Sequence, residues 1–169
     1  MAKKVLVITL GLIAILLGLI FLAGTVTPST FKIHRSGKYH ASQQRIWAYL
    51  TSPTQPSKSE QVTLVNLSKD PTTGLPRWKT LMNHNEFVTY RIVSENPTQF
   101  VAIEIESHSI SMNSTWNYTI RSITANLTEV SVEQMSRVPN RWIRGIMVIT
   151  GKETLLKNEH RRLAEEFGI

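Results

Sequence analysis

The residue types that most often carry acid–base or metal chemistry are thinly spread through this sequence. Five histidines occur in 169 residues, and none has the HxH or HExxH spacing of a metal site. His84 stands two positions before Glu86. That pair could transfer protons, but an exposed pair in a turn is the simpler interpretation.

A second candidate for acid–base chemistry is the pair of Glu104 and Glu106, which share one face of a predicted strand. If that face lined a cavity, the two carboxylates could shift each other's pKa. However, Ile103 and Ile105 alternate with them and would then face solvent, so we expect the carboxylates on the outer face.

Nucleophile motifs and cofactor motifs are missing from the sequence. It has no GxSxG elbow, no glycine-rich phosphate loop and no cysteine, which excludes thiolate metal sites and disulfides. The sequence therefore predicts no catalytic residue, no metal site and no cofactor.

The first 24 residues are predicted to anchor the chain in a membrane. Residues 5–24 carry no charge, and 20 helical residues at about 1.5 Å each match a hydrocarbon core of about 30 Å. A cleaved secretory signal is the alternative, although the apolar core of a signal is usually shorter, about 7 to 15 residues. The lipid bilayer is thus the first predicted partner.

The basic residues on either side of this segment bear on its orientation. Lys3 and Lys4 precede it directly, whereas Lys32, Arg35 and Lys38 follow only after an uncharged stretch. This favours a cytoplasmic N-terminus and an extracytoplasmic body, and the reverse orientation stays open. The net charge of +7 is not concentrated in a dense basic stripe, so nucleic acid is not predicted as a partner.

The body, residues 31–169, has the pattern of one α+β domain joined to the anchor by a short linker, residues 25–30. A strand from Phe31 to His40 is followed by a short helix capped by Ser42. About six antiparallel strands follow, separated by turns; the clearest alternation is that of Val88, Tyr90 and Ile92.

From Pro139 onward the apolar residues follow a helical period, which predicts one long C-terminal helix. Gly145 and Gly151 interrupt this pattern, either lowering its stability or allowing another element to approach closely. A curved sheet around such a helix would leave a hollow that could bind an apolar molecule. The candidate lining residues are Trp116, Tyr118, Ile120, Tyr90, Trp142, Ile146 and Ile149.

Three stretches resemble the START and polyketide-cyclase-like superfamily of helix-grip domains, and their order matches it as well. They are TPSTFKIHRSGKYHASQQRIWAYLTSP, TYRIVSENPTQFVAIEIES and STWNYTIRSITANLTEVSVE. The resemblance extends to a membrane-anchored variety and implies an antiparallel sheet gripping the C-terminal helix. One departure is PTQPSKSEQV, which stands where members of the superfamily often have tryptophans.

Three hypotheses for function follow. The first is a membrane-tethered, non-enzymatic module that binds a lipid or another hydrophobic small molecule between sheet and C-terminal helix. The second is an enzyme of the polyketide cyclase or dehydratase type, which would need an ionisable side chain in the cavity. The third is a membrane-localised protein-interaction domain, which would show an exposed apolar patch.

Overall fold

The computed structural model describes residues 2–52, 63–82, 86–107 and 111–169. The order of elements follows the prediction until the C-terminus. They are α1 (Ala2–Val26), β1 (Thr30–Tyr39), α2 (Gln43–Thr51), β2 (Thr63–Lys69), β3 (Pro76–Met82), β4 (Glu86–Asn96), β5 (Phe100–Ser107), β6 (Met112–Thr124), β7 (Leu127–Arg137), α3 (Arg141–Thr150) and α4 (Thr154–Phe167).

The seven strands form a single antiparallel sheet in the order β1-β7-β6-β5-β4-β3-β2. The first strand therefore pairs with the last one, and β1 and β2 are the free edges of an open sheet. The register shifts between Leu64 and Asn66, between Ile92 and Ser94, and between Ser122 and Thr124. Such bulges bend and twist strands, which helps the sheet to curve around a helix.

The short helix α2 begins where the sequence predicts it. The Ser42 hydroxyl accepts a hydrogen bond from the Arg45 amide, which satisfies one of the free N–H groups of the first turn. Ile46, Tyr49 and Leu50 form its buried face. The helix is thereby fixed against the core.

The predicted single long C-terminal helix is wrong in one respect, because the chain forms two helices, α3 and α4. Gly151 ends α3 with a φ of 90° and a ψ of 123°, a conformation that side chains with a Cβ rarely adopt. Only α4 packs its apolar face, with Leu156, Leu163 and Phe167, against the sheet.

The core lies between one face of the sheet and α4. Alternate residues of β6 and β7 point inward, so that Val130 and Val132 of β7 are fully buried beside Tyr118 and Ile120 of β6. Leu156 and Leu163 of α4 cover them. The described architecture is thus α+β, with an antiparallel sheet that holds the last helix.

The N-terminal helix α1 is outside this core. Its stretch from Lys3 to Val26 is long and apolar enough to cross a membrane, and most of its side chains are exposed. α1 instead packs against α3, where the rings of Phe21 and Trp142 lie with their centroids 5.1 Å apart.

Candidate functional site

Four of the seven residues predicted to line a cavity lie on the inner face of the sheet. Trp116, Tyr118 and Ile120 alternate along β6 and are buried. Tyr90 is half-buried on β4, and its ring stacks on that of Trp78, with centroids 5.4 Å apart. The structure brings these four to the side of the sheet that α4 covers.

The other three predicted residues, Trp142, Ile146 and Ile149, lie elsewhere. They belong to α3 and are exposed. The break at Gly151 separates their helix from α4, and α3 packs on α1 instead. Whether any of the seven residues contacts a ligand stays a prediction.

A buried polar cluster that the sequence did not predict lies between α4 and the sheet. Glu159 of α4 accepts hydrogen bonds from the Tyr118 hydroxyl at 3.1 Å and from the Arg162 guanidinium at 2.8 Å. Burial raises the pKa of Tyr118 well above its usual value, and the Glu159 carboxylate adds to this shift. Burial opposes the charge on Arg162, but Glu159, Tyr118 and Tyr49 together outweigh it and raise the pKa of the guanidinium.

The second half of this cluster is the pair of Tyr39 and His160. The Tyr39 hydroxyl is hydrogen-bonded to His160 Nδ1, and both residues are buried. Burial raises the pKa of Tyr39 and lowers the pKa of His160, so both shifts favour the neutral forms. The hydrogen bond is donated either by the Tyr39 hydroxyl to Nδ1 or, in the other neutral tautomer of His160, by Nδ1–H to the Tyr39 oxygen.

The spacing of the apolar residues along α4 indicates that His160 is buried. Leu156, Leu163 and Phe167 define an inward stripe, and position 160 falls within it, four residues after Leu156 and three before Leu163. An apolar pattern passes over His160 because histidine is not counted as apolar, although its position on the helix predicts burial.

The inner face also holds polar atoms that lack a hydrogen-bond partner among the described residues. Trp116 Nε1 is a free donor, and Gln134 Oε1 on the adjacent strand is a free acceptor. The same holds for Trp47 Nε1 and His160 Nε2. Trp116 and Gln134 are directly opposed across β6 and β7, so a donor and an acceptor share one small region.

The side-chain nitrogen of Gln134 belongs to a hydrogen-bond network. Its amide nitrogen donates to the Ser136 hydroxyl at 2.8 Å, and Ser136 is hydrogen-bonded to Ser114 at 2.6 Å. All three side chains are buried, and Gln134 has no exposed surface. With the amide in this orientation the nitrogen is bonded to Ser136 and the oxygen is left without a partner among the described residues.

A cleft of about 450 Å³ opens at the end of β1, β6 and β7. By their register, Phe31, Ser114 and Ser136 line it from the inner face of the sheet, whereas the other six lining residues, among them Lys32, Thr115 and Met135, belong to the outer face. Thr30 also lines it and lies shortly after α1 ends at Val26, so the cleft is at the α1 end of the sheet. It thus adjoins the serine pair that holds Gln134.

The other candidates from the sequence do not join this site. Glu104 lies on the outer face, as predicted, where it pairs with Arg91. His84 and His108 lie outside the described residues, as does the segment 53–62, which holds the departure from the superfamily. Within the ranges that are described, no three His, Asp or Glu residues form a group that could hold a metal ion.

Comparison with known proteins supports the fold. A conserved protein from Geobacillus kaustophilus superposes with a TM-score of 0.62 at 12% identity, covering 80% of this chain and 94% of that one. A putative uncharacterized protein from Bacillus thuringiensis gives 0.57 at 12%, covering 81% and 98%. Norcoclaurine synthase from Thalictrum flavum, solved with dopamine and hydroxybenzaldehyde, gives 0.55 at 10%, covering 85% and 89%.

No protein-family model matches the sequence. No curated protein sequence matches it either. At 10–12% identity, the superpositions are evidence of fold and not of activity. They show the fold alone, an antiparallel sheet that holds a C-terminal helix.

Proposed function

We propose that this protein is a membrane-tethered module that binds one small apolar molecule with a polar end, such as a fatty acid, between the sheet and α4. The observation that carries the proposal is the opposed pair of Trp116 Nε1 and Gln134 Oε1, which are buried without hydrogen-bond partners among the described residues.

The energetic cost of these two atoms is the first argument. A buried donor or acceptor without a partner costs about 1–3 kcal/mol, and native structures rarely leave two together. Water could satisfy them, but a carboxyl or hydroxyl group accepts from an indole N–H and donates to an amide oxygen at once. The aromatic and branched side chains around them, such as Tyr118 and Ile103, suit an apolar tail.

Access is the second argument. The cleft beside Ser114 and Ser136 is about 450 Å³ in volume and would serve as an entrance, because neither Trp116 nor Gln134 is among its lining residues. It opens at the end of the sheet where α1 enters the domain. A guest from the membrane that α1 would span would reach this cleft first, and it would then pass Ser114 and Ser136 to reach Trp116 and Gln134.

The test is native mass spectrometry of the full chain in detergent, with dodecanoic acid as the probe. We expect a one-to-one adduct with the wild type. Gln134→Leu or Trp116→Phe removes one neutral hydrogen bond, worth about 1 kcal/mol, so the adduct should dissociate about fivefold more readily.

Trp142→Phe is the matched control, because it makes the same chemical change on α3, outside the sheet–α4 interior. It should leave the adduct unchanged. If the wild type retains no probe, or if all three variants retain it equally, the proposal is refuted.

A second candidate function, proton-transfer catalysis of the cyclase or dehydratase type, is favoured by the pair of Tyr39 and His160. Both groups are neutral and buried on the face that α4 covers. A neutral histidine paired with a tyrosine can remove a proton next to a carbonyl group and return it.

This alternative is tested by incubating the full chain with 2-decanone in D₂O and following deuterium uptake at the carbons next to the carbonyl. An enzyme should exceed the buffer rate, and Tyr39→Phe should abolish the excess. Exchange at the buffer rate would refute this alternative.

A further inference from the structure

We propose that α3 lies in the membrane beside α1, with its exposed apolar face in contact with lipid in the head-group and upper acyl-chain region. This inference rests on the membrane tether of the proposed function. It gives the domain a second membrane contact that is distant in sequence from the first.

The packing of α3 on α1 is the first observation. A Cβ on Gly24 would lie 1.7 Å from the Arg141 carbonyl oxygen, and a Cβ on Gly145 would lie 2.0 Å from that of Ile20. Both contacts bring backbone against backbone, the arrangement that small residues allow between membrane helices. The order of the contacts makes the two helices antiparallel.

The exposed face of α3 is the second observation. Trp142, Ile146, Val148 and Ile149 are 43%, 46%, 43% and 63% exposed. These large apolar side chains lie next to the exposed apolar surface of α1 and are continuous with it. The apolar surface of α1, a helix long enough to span a bilayer, therefore continues onto the exposed face of α3.

The charges of α3 are the third observation. Residues 141–152 contain no acidic residue, and Arg141 and Lys152 stand near the two ends of the helix. Long basic side chains at the ends can extend to the head groups, while the tryptophan and the aliphatic residues between them face lipid.

The positive charge of Arg144, in the middle of α3, is compatible with a location in the membrane. It is buried, and its guanidinium donates to the carbonyl oxygens of Gly24, Val138 and Pro139 at 2.8, 2.9 and 2.6 Å. Gly24 lies in the last turn of α1, where a positive charge is favourable. The charge is thus satisfied within the protein, and it holds α3 to α1.

The test exploits the absence of cysteine, because a single introduced cysteine can be labelled uniquely with a nitroxide. The full chain is placed in vesicles of phosphatidylcholine and phosphatidylglycerol, and the accessibility of each label to oxygen and to a water-soluble nickel chelate is measured by electron paramagnetic resonance. Leu12→Cys on α1 is the lipid reference. Ala125→Cys, in the exposed turn between β6 and β7, is the water reference.

We expect the oxygen-to-nickel ratio at Ile149→Cys to resemble that at Leu12→Cys and to exceed that at Ala125→Cys. A ratio like that of Ala125→Cys would place α3 in water and overturn the inference. Low accessibility to both reagents would mean that a second copy or another protein covers α3, and would also overturn it. If Leu12→Cys itself reports water, the tether fails together with the inference; if only Ile149→Cys does, the tether stands.

Discussion

The contact between α1 and α3 leads to a prediction whose size follows from the structure. In Gly145→Ala, the new Cβ would lie 2.0 Å from the Ile20 carbonyl oxygen, whereas ordinary contacts begin at 3.4 Å. The helices must therefore separate by about 1.4 Å. Separation on this scale also lengthens the 2.8 Å hydrogen bond from Arg144 to Gly24.

The expected cost combines three effects. Overpacking costs about 1–3 kcal/mol, and a weakened hydrogen bond from a charged group adds to that cost. The higher helix propensity of alanine returns about 1 kcal/mol. We expect docking of α3 to weaken by about 1–2 kcal/mol, which corresponds to a roughly 5- to 30-fold rise in the undocked population.

Hydrogen exchange of the full chain in detergent, followed by mass spectrometry, measures this change. Peptides from α3 should exchange faster in Gly145→Ala by that factor, provided that α3 recloses faster than its amides exchange. Gly18→Ala is the control, because a Cβ there meets nothing within 4 Å. Unchanged exchange of α3 in Gly145→Ala, or the same acceleration in Gly18→Ala, would refute the reasoning.

Three further predictions concern the domain. Gly151→Ala should lower the free energy of unfolding by about 1–3 kcal/mol in a denaturant titration, because φ and ψ there strain an L-residue; a curve that matches the wild type would contradict this. Burial lowers the pKa of His160, so below about pH 6.5 the unfolded chain gains a proton that the folded chain does not take up, and stability should fall as pH falls. His160→Gln should flatten that part of a pH series of thermal melts, and an unchanged slope would assign it to another group. Backbone hydrogen bonds from its own turn, led by the Thr73 amide, lower the pKa of Asp70, so its contribution is present above about pH 4 and is lost below it. Asp70→Asn should therefore destabilise the protein at neutral pH and have little effect near pH 2, and equal losses at both pH values would argue against this role.

Most of the sheet could be predicted from the sequence because its signals are local. The alternation of Trp116, Tyr118 and Ile120 is preserved in β6, and Ser42 caps α2 as expected. Strand order could not be predicted from local signals, because the pairing of β1 with β7 joins segments about 100 residues apart. The resemblance to helix-grip domains implied such a fold, whereas the residue pattern indicated only antiparallel neighbours.

The site was less predictable than the fold. The sequence indicated an apolar hollow, yet the inward face of α4 carries Glu159 and His160, and the sheet contributes Gln134. Burial of a polar residue depends on partners from distant segments, such as Tyr118 for Glu159 and Tyr39 for His160. Single-sequence periodicity contains no information about these pairs.

The misprediction of one long helix has a specific cause, and it bears on function. The apolar positions 142, 146, 149, 156, 163 and 167 are separated by threes, fours and sevens, so they form one continuous stripe on an ideal helix. The chain instead turns at Gly151 and divides the stripe in two. The second half faces the sheet and is buried, whereas the first half lies on α3 beside α1 with its large side chains exposed. The apolar residues of α3 and α4 follow one period, but they lie in two different surroundings. Each half of the stripe needs an apolar environment, and the sheet supplies only the one around α4. The bilayer that α1 is suited to cross is the environment that can supply the other.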